Sequence, residues 1–184
     1  MFNAIVILIL AWIIGKVCIE LHTAEFLVQN LSSTVSVRFL PLIVFIISMG
    51  ISFATGTSWG TLSILIPIVI PLVVSSAQLS GIHPEAGNTI LLASIAAILS
   101  GAVFGDHCSP ISDTTIMSSM ASASDHIDHV RTQLPYALTV GIVSIIFGYL
   151  LTAFNINPAI SIAISLTVLI AILYTIGKNA DLLT

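Results

Sequence analysis

Charge is the scarcest property of this chain. Its 184 residues include four Lys/Arg and eight Asp/Glu, so charged types make up 7% against 57% apolar. Ordinary soluble domains carry roughly 25% charged residues. So few charges cannot cover a water-facing surface, whereas lipid allows the outer surface to be apolar. A soluble domain is therefore excluded and membrane insertion is expected. The chain also lacks a basic patch, which excludes nucleic acid as a partner. Its two cysteines, Cys18 and Cys108, form no CxxC or zinc-finger spacing and no disulfide framework. The start has no basic n-region of a signal peptide, so the first apolar segment is expected to be retained. No internal repeat and no low-complexity segment is present.

What is present is a series of apolar runs, and they predict an all-α integral membrane protein. Residues 1–184 read as a single transmembrane domain, a bundle of transmembrane helices with a re-entrant hairpin and a broken helix. The first run, Met1 to Ile14, extends through Val17 and Ile19, with Lys16 snorkelling or facing the interior. The stretch from His22 to Leu31 suits an interfacial helix, completing a first segment over 1–33. Residues 39–77 read as the hairpin. Its arms, Phe39 to Phe53 and Leu62 to Val74, are roughly 20 Å each as helix, short of the ~30 Å hydrocarbon thickness. Pro67 and Pro71 lie in the second arm, where a membrane helix tolerates them if neighbours re-satisfy the backbone.

Residues 88–121 read as one broken span. Its first part, Asn88 to Phe104, is interrupted by Gly105-Asp-His-Cys-Ser-Pro-Ile-Ser-Asp113 before the chain resumes as helix. Gly and Pro in one short stretch punctuate helices, and Pro110 disfavours helical geometry at Ser109. Spans over 132–154 and 158–177 follow a polar loop, Ser122 to Arg131. Lys16 and Arg38 fall on one side and Arg131 and Lys178 on the other, so the positive charges set no orientation.

Two polar clusters thus fall at membrane depth: Ala54-Thr-Gly-Thr-Ser-Trp-Gly-Thr61 and Gly105 to Asp113. Irregular backbone there is costly unless it is buried in protein or lines a cavity. Secondary transporters use such breaks to build ion sites near the midplane. Asp106 and Asp113 are the leading residues, because an ionisable group within a span marks a functional site by default. A buried carboxylate must hold a proton or a cation, and competition between the two gives exchange. Na⁺ is the expected ligand of both. The plainer alternatives are a first-turn acid at Asp113 and a tether for unwound backbone at Asp106.

Thr55, Thr57, Ser58, Ser109, Ser112 and Thr114 are candidate oxygen ligands. Turn satisfaction and helix capping are their alternative roles, shared with Thr115. Trp59 suits either a cavity plug or an interfacial contact. His107 and Cys108 beside Asp106, and Asp125 with His126, Asp128 and His129, invite a metal reading. Their spacing matches no HExxH or standard zinc pattern. The second group equally suits a helix start, with Asp125 as cap and Asp128 in the first turn. His126 and His129 are pH-sensing candidates, because imidazole titrates near neutrality. No catalytic group and no cofactor is expected beyond Na⁺ and H⁺ as transported ions.

The run Gly101-Ala-Val-Phe-Gly-Asp-His-Cys-Ser-Pro-Ile-Ser-Asp-Thr-Thr-Ile116, continuing at Asp125-His-Ile-Asp-His-Val-Arg-Thr-Gln-Leu-Pro-Tyr-Ala137, resembles the C-terminal region of NhaC-family Na⁺/H⁺ antiporters. The cluster at 54–61 resembles that family too, as does Leu10-Ala-Trp12 with Thr23-Ala24 and Phe26-Leu27. The resemblance covers nearly the whole chain. It implies an ion-transporter architecture of two inverted halves, each with a re-entrant hairpin and a broken helix. This chain holds one such pair and is similar to the second half of a carrier. The implied function is secondary antiport of Na⁺ against H⁺ in pH homeostasis, with Na⁺-coupled exchange of organic anions such as malate or lactate as the alternative. A partial, non-transporting membrane subunit is a third reading. The implied setting is a multi-pass protein of the cell inner membrane. Its partners would be the lipid bilayer and either a missing N-terminal half or further copies of the chain.

Overall fold

The computed structural model describes residues 36–177 and, ahead of them, Ile9, Ile13, Lys16, Val17, Glu20, Leu21, His22 and Phe26. The expected first span and interfacial helix over 1–33 lie otherwise outside the described residues. Lys16 and Glu20 pair there at 3.0 Å, both exposed. The described residues are helical and contain no strand. Five helices among them are long and apolar enough to cross a membrane. The protein is an all-α, multi-pass membrane protein.

The helices are α1 (Leu40–Thr55), α2 (Ser58–Leu79), α3 (Pro84–Cys108), α4 (Asp113–Ala121), α5 (His126–Val143) and α6 (Pro158–Ile176). A single tight turn, Val37–Phe39, leads into α1. Wider, π-type turns at Ser144–Leu150 and a short segment Leu151–Ala153 continue α5. Local chemistry sets these starts. Proline sits at the first positions of α1, α3 and α6, where its missing N–H is no loss. Thr57 and Ser112 cap α2 and α4 through Gly60 N and Thr115 N. Asp125 accepts from the amides of Ile127 and Asp128, as its capping role requires.

Three boundaries correct the sequence reading. The second arm of the hairpin does not stop at Val74; polar residues Ser75 to Gln78 remain helical and carry α2 to Leu79. At 22 residues it is about 33 Å long, enough by length to cross a membrane, whereas α1 has 16 residues. Helix α3 begins at Pro84 rather than Asn88 and runs through Gly105 and Asp106 to Cys108. The break narrows to Ser109–Ser112. Helix α5 begins at His126, inside the expected loop, and takes Arg131 and Pro135 into its length.

The chain divides into two compact units, Met1–Ala137 and Leu138–Thr184. In the first, α3 packs along α1. Leu40, Val44, Ser48 and Ser52 recur every four residues and form the buried stripe of α1. It meets Ala97, Ile98, Gly101, Ala102 and Gly105 of α3. A Cβ on Gly101 would lie 2.7 Å from the Phe45 carbonyl oxygen and 2.8 Å from Ser48 Cβ. Two hydroxyls lock the pair: Ser48 donates to the Ile98 carbonyl at 2.8 Å and Ser52 to that of Ala102 at 2.5 Å. In lipid, where apolar burial does not drive association, close backbone approach and interhelical hydrogen bonds hold helices together.

The second unit pairs the wide turns at 144–150 with α6. Ser161 is the buried residue of α6, and most of that helix is exposed apolar surface. Asn157 caps α6 through the amide of Ala159 at 2.9 Å.

Candidate ion site at the helix break

The two polar clusters meet. Gly56 ends α1 in the left-handed conformation, φ 66°, and a Cβ there would come within 2.8 Å of the Ile111 carbonyl oxygen. The turn between α1 and α2 therefore sits directly on the α3–α4 break. Ser109 fastens the junction by donating to the Phe53 carbonyl at 2.8 Å. Gly56→Ala is expected to lower the melting temperature in detergent. The left-handed backbone costs a non-glycine residue about 1–2 kcal/mol, and the Ile111 backbone must also retreat.

At the centre stands the Asp106 carboxylate, half-buried on the last turn of α3. Ser58, in the first turn of α2, donates to Oδ2 at 3.1 Å. Ser112, in the break, donates to Oδ1 at 2.6 Å. Thr114, in α4, lies 2.7 Å from Ser112 Oγ and 3.4 Å from Asp106 Oδ1. Thr115 Oγ1 reaches the backbone carbonyls of Asp106 and His107, both at 3.3 Å, and ties the end of α3 to the start of α4. An ionised carboxylate accepts only, and three hydroxyls here are placed to donate to it. The same five oxygens, with hydroxyl hydrogens turned away, present lone pairs to a small hard cation. Neither polar cluster contains a Lys or Arg to neutralise the carboxylate.

Four of the residues singled out from sequence thus come together: Ser58, Asp106, Ser112 and Thr114. The others serve elsewhere. Asp113 is exposed and its carboxylate accepts from the amide of Thr114 at 2.8 Å, the first-turn acid of the plainer alternative. Thr55 is exposed and donates back to the Ile51 carbonyl at 2.8 Å. Thr57 caps α2, and its carbonyl accepts from Thr61 Oγ1 at 3.0 Å. Trp59 is exposed. His107 and Cys108 turn away from Asp106. His107 Nε2 meets the side-chain amide of Gln133, and Cys108 bonds the Phe104 carbonyl. Among the described residues no three His, Cys, Asp or Glu side chains gather as a metal site. His126 and His129 converge on Ser119. Residue-by-residue reading undervalued Thr115, Ser119 and Gln133. Gln133 Oε1 is buried without a hydrogen-bond partner; an amide in an amphipathic helix start gives no signal of that in sequence.

The model of the Na⁺/H⁺ antiporter family matches residues 1–156. The chain belongs to that family. An uncharacterized protein of Haemophilus influenzae is 40% identical over 97% of this chain and 32% of its own length. A malate-2H(+)/Na(+)-lactate antiporter of Bacillus subtilis is 38% identical over 58% of this chain and 21% of its own. The arginine/ornithine antiporter ArcD of Halobacterium salinarum is 34% identical over 55% of this chain and 22% of its own. The chain spans about a third of the first relative's length and about a fifth of the other two. No solved structure matches it. The matched family segment contains the whole Asp106 cluster.

Proposed function

We propose that this antiporter-family chain carries the cation site of a carrier exchanging Na⁺ for H⁺, with Asp106 as the group for which the two ions compete. The observation that supports it best is the Asp106 carboxylate, held by hydroxyls from three segments at a helix break. Ionised, the carboxylate and the oxygens of Ser58, Ser112 and Thr114 form an all-oxygen shell suited to a hard cation. Protonated, it turns one acceptor oxygen into a donor, opposes the hydroxyls that donate to it, and no longer attracts the cation. Occupancy is therefore exclusive, and exclusive occupancy is what makes transport an exchange. The protein acts as a transporter rather than an enzyme, uses no cofactor, and resides in the bacterial inner membrane. Its partners are the bilayer and either a further segment of carrier or a second copy.

The reading is tested by Na⁺-dependent collapse of ΔpH in everted vesicles from cells lacking their own antiporters, alongside Na⁺-dependent thermal stabilisation of the purified chain. Collapse with stabilisation supports it; neither effect in an inserted, folded chain overturns it. Within the site, Ser58→Ala is expected to weaken the Na⁺ response about tenfold, since a hydrogen bond to a charged group is worth roughly 1.5 kcal/mol. Thr55→Ala, which removes only a bond within α1, should leave it unchanged.

Organic-anion exchange is the second reading, favoured by the name of the Bacillus relative. Such a site wants a fixed cation beside the anion, and neither polar cluster supplies one. The N-terminus of α4 would have to substitute. Counterflow with labelled malate or lactate separates the two readings.

A further inference from the structure

A second group of titratable side chains sits beside the break. Ser119, on the buried face of α4, lies between two imidazoles: its Oγ is 2.7 Å from His129 Nδ1 and 3.2 Å from His126 Nδ1. The same oxygen is 2.8 Å from the Thr115 carbonyl. His126 reaches further with its other nitrogen, Nε2, which is 2.7 Å from the Pro110 carbonyl within the break.

Counting hydrogens defines the state of this group. Each of the four contacts needs one hydrogen. The two carbonyls can only accept, a serine hydroxyl supplies one hydrogen, and a neutral imidazole supplies one. Ser119 and two neutral rings together supply one hydrogen too few. A single added proton, giving His126 hydrogens on both nitrogens, satisfies every contact at once. In the neutral state the Ser119 hydrogen turns to one ring, and the Thr115 carbonyl gives up that second bond. Moving between the two states needs only rotation of one hydroxyl. A second added proton would set two imidazolium rings on one oxygen, and like charges oppose this.

We propose that His126, Ser119 and His129 form a proton-binding site that takes up one proton, held on His126 between Ser119 and the Pro110 carbonyl, separate from the Asp106 carboxylate. The surrounding charges leave the pair as its own unit. Asp125 is engaged by the amides of Ile127 and Asp128, and Asp113 by that of Thr114. His107 is engaged by Gln133. Asp106 faces its own hydroxyls, and Asp128 and Arg131 are exposed on α5. The site is nevertheless linked to Asp106. Ser119 bonds the carbonyl of Thr115, whose own hydroxyl bonds the carbonyl of Asp106. A proton here places positive charge beside the break and opposes a cation at Asp106; this consequence rests on the function proposed above, whereas the proton site does not.

The test is a pH titration of the full chain in lipid nanodiscs with ¹⁵N-labelled histidine, followed by nitrogen NMR. Of the five histidines, His126 and His129 are assigned through His126→Gln and His129→Gln. The expected result is one transition seen at both rings, with His126 as imidazolium on its acid side and His129 sensing it through the Ser119 hydroxyl. Ser119→Ala should split this into two independent transitions, and Ser119→Thr, which keeps the hydroxyl, should preserve one. Independent titration of the two rings in the wild-type chain overturns the proposal, whether or not Ser119→Ala folds. In the same samples, Na⁺ affinity should fall more steeply on acidification in the wild type than in the His126→Gln/His129→Gln double variant. A chain that shows the shared transition but binds no Na⁺ retains the proton site and removes the cation reading.

Discussion

Asp106→Asn is expected to abolish Na⁺-driven collapse of ΔpH and to weaken Na⁺-dependent stabilisation by roughly 100-fold, about 3 kcal/mol. The substitution keeps the size of the side chain and one oxygen. Ser112 at 2.6 Å and Ser58 at 3.1 Å would then face an amide in place of a carboxylate. The charge is lost, and with it both the attraction for the cation and the proton acceptor. Asp113→Asn should do far less, because that carboxylate is exposed and bonds its own helix. The comparison separates the two acids, which sequence reading had placed together as joint Na⁺ ligands. If Asp113→Asn abolished exchange and Asp106→Asn did not, the cluster described here would not be the site.

The second large effect concerns packing. Gly105→Ala should cut the yield of monodisperse protein in mild detergent and lower its melting temperature. A Cβ at Gly105 would run into the Phe53 amide nitrogen, and would lie 2.5 Å from Ser52 Cβ and 2.7 Å from the Met49 carbonyl oxygen. Two of these atoms are backbone and cannot rotate away, so α1 and α3 must separate. Overpacking of a tight core costs about 1–3 kcal/mol, occasionally more. Separation also strains the Ser52 bond to Ala102 and the Ser109 bond to Phe53, so the cation response should fail with the fold. Gly50→Ala is the control. A Cβ there meets nothing within 4 Å, and the change should be neutral or stabilise by up to about 1 kcal/mol through helix propensity.

Gly105 also shows where reading along the chain goes astray. Beside Asp106 and ahead of Pro110 it looks like part of a helix break. Within the fold it is helical, and its missing side chain serves the approach of α1. A glycine that ends a helix and one that admits a neighbouring helix have the same letter. Ser75 to Gln78 misled in the opposite way: their polarity suggested a loop, yet they finish α2 as helix. The end of α1 was easier to place, because Thr55-Gly-Thr57 combines a glycine able to adopt positive φ with a capping threonine.

The amino-acid sequence by itself determined the membrane setting, the helical class and the two polar interruptions. Each is fixed by local composition: too little charge for a water-facing surface, repeated long apolar runs, and Gly, Pro, Ser and Thr where helices end. It also singled out Asp106 and Asp113 together, because a carboxylate within a span needs a partner. Only the tertiary structure decided which hydroxyls the Asp106 carboxylate receives. Ser58 and Thr55 stand three positions apart in one turn, and both were equal candidates. Ser58 reaches Asp106 because the glycines of α3 let α1 lie close, and because Gly56 seats the following turn on Ile111. The same packing left Asp113 exposed and gathered His126, His129 and Ser119 around one oxygen. These are contacts between segments distant in the chain, and the depth at which two helices pack, rather than residue spacing, brings them within hydrogen-bond reach.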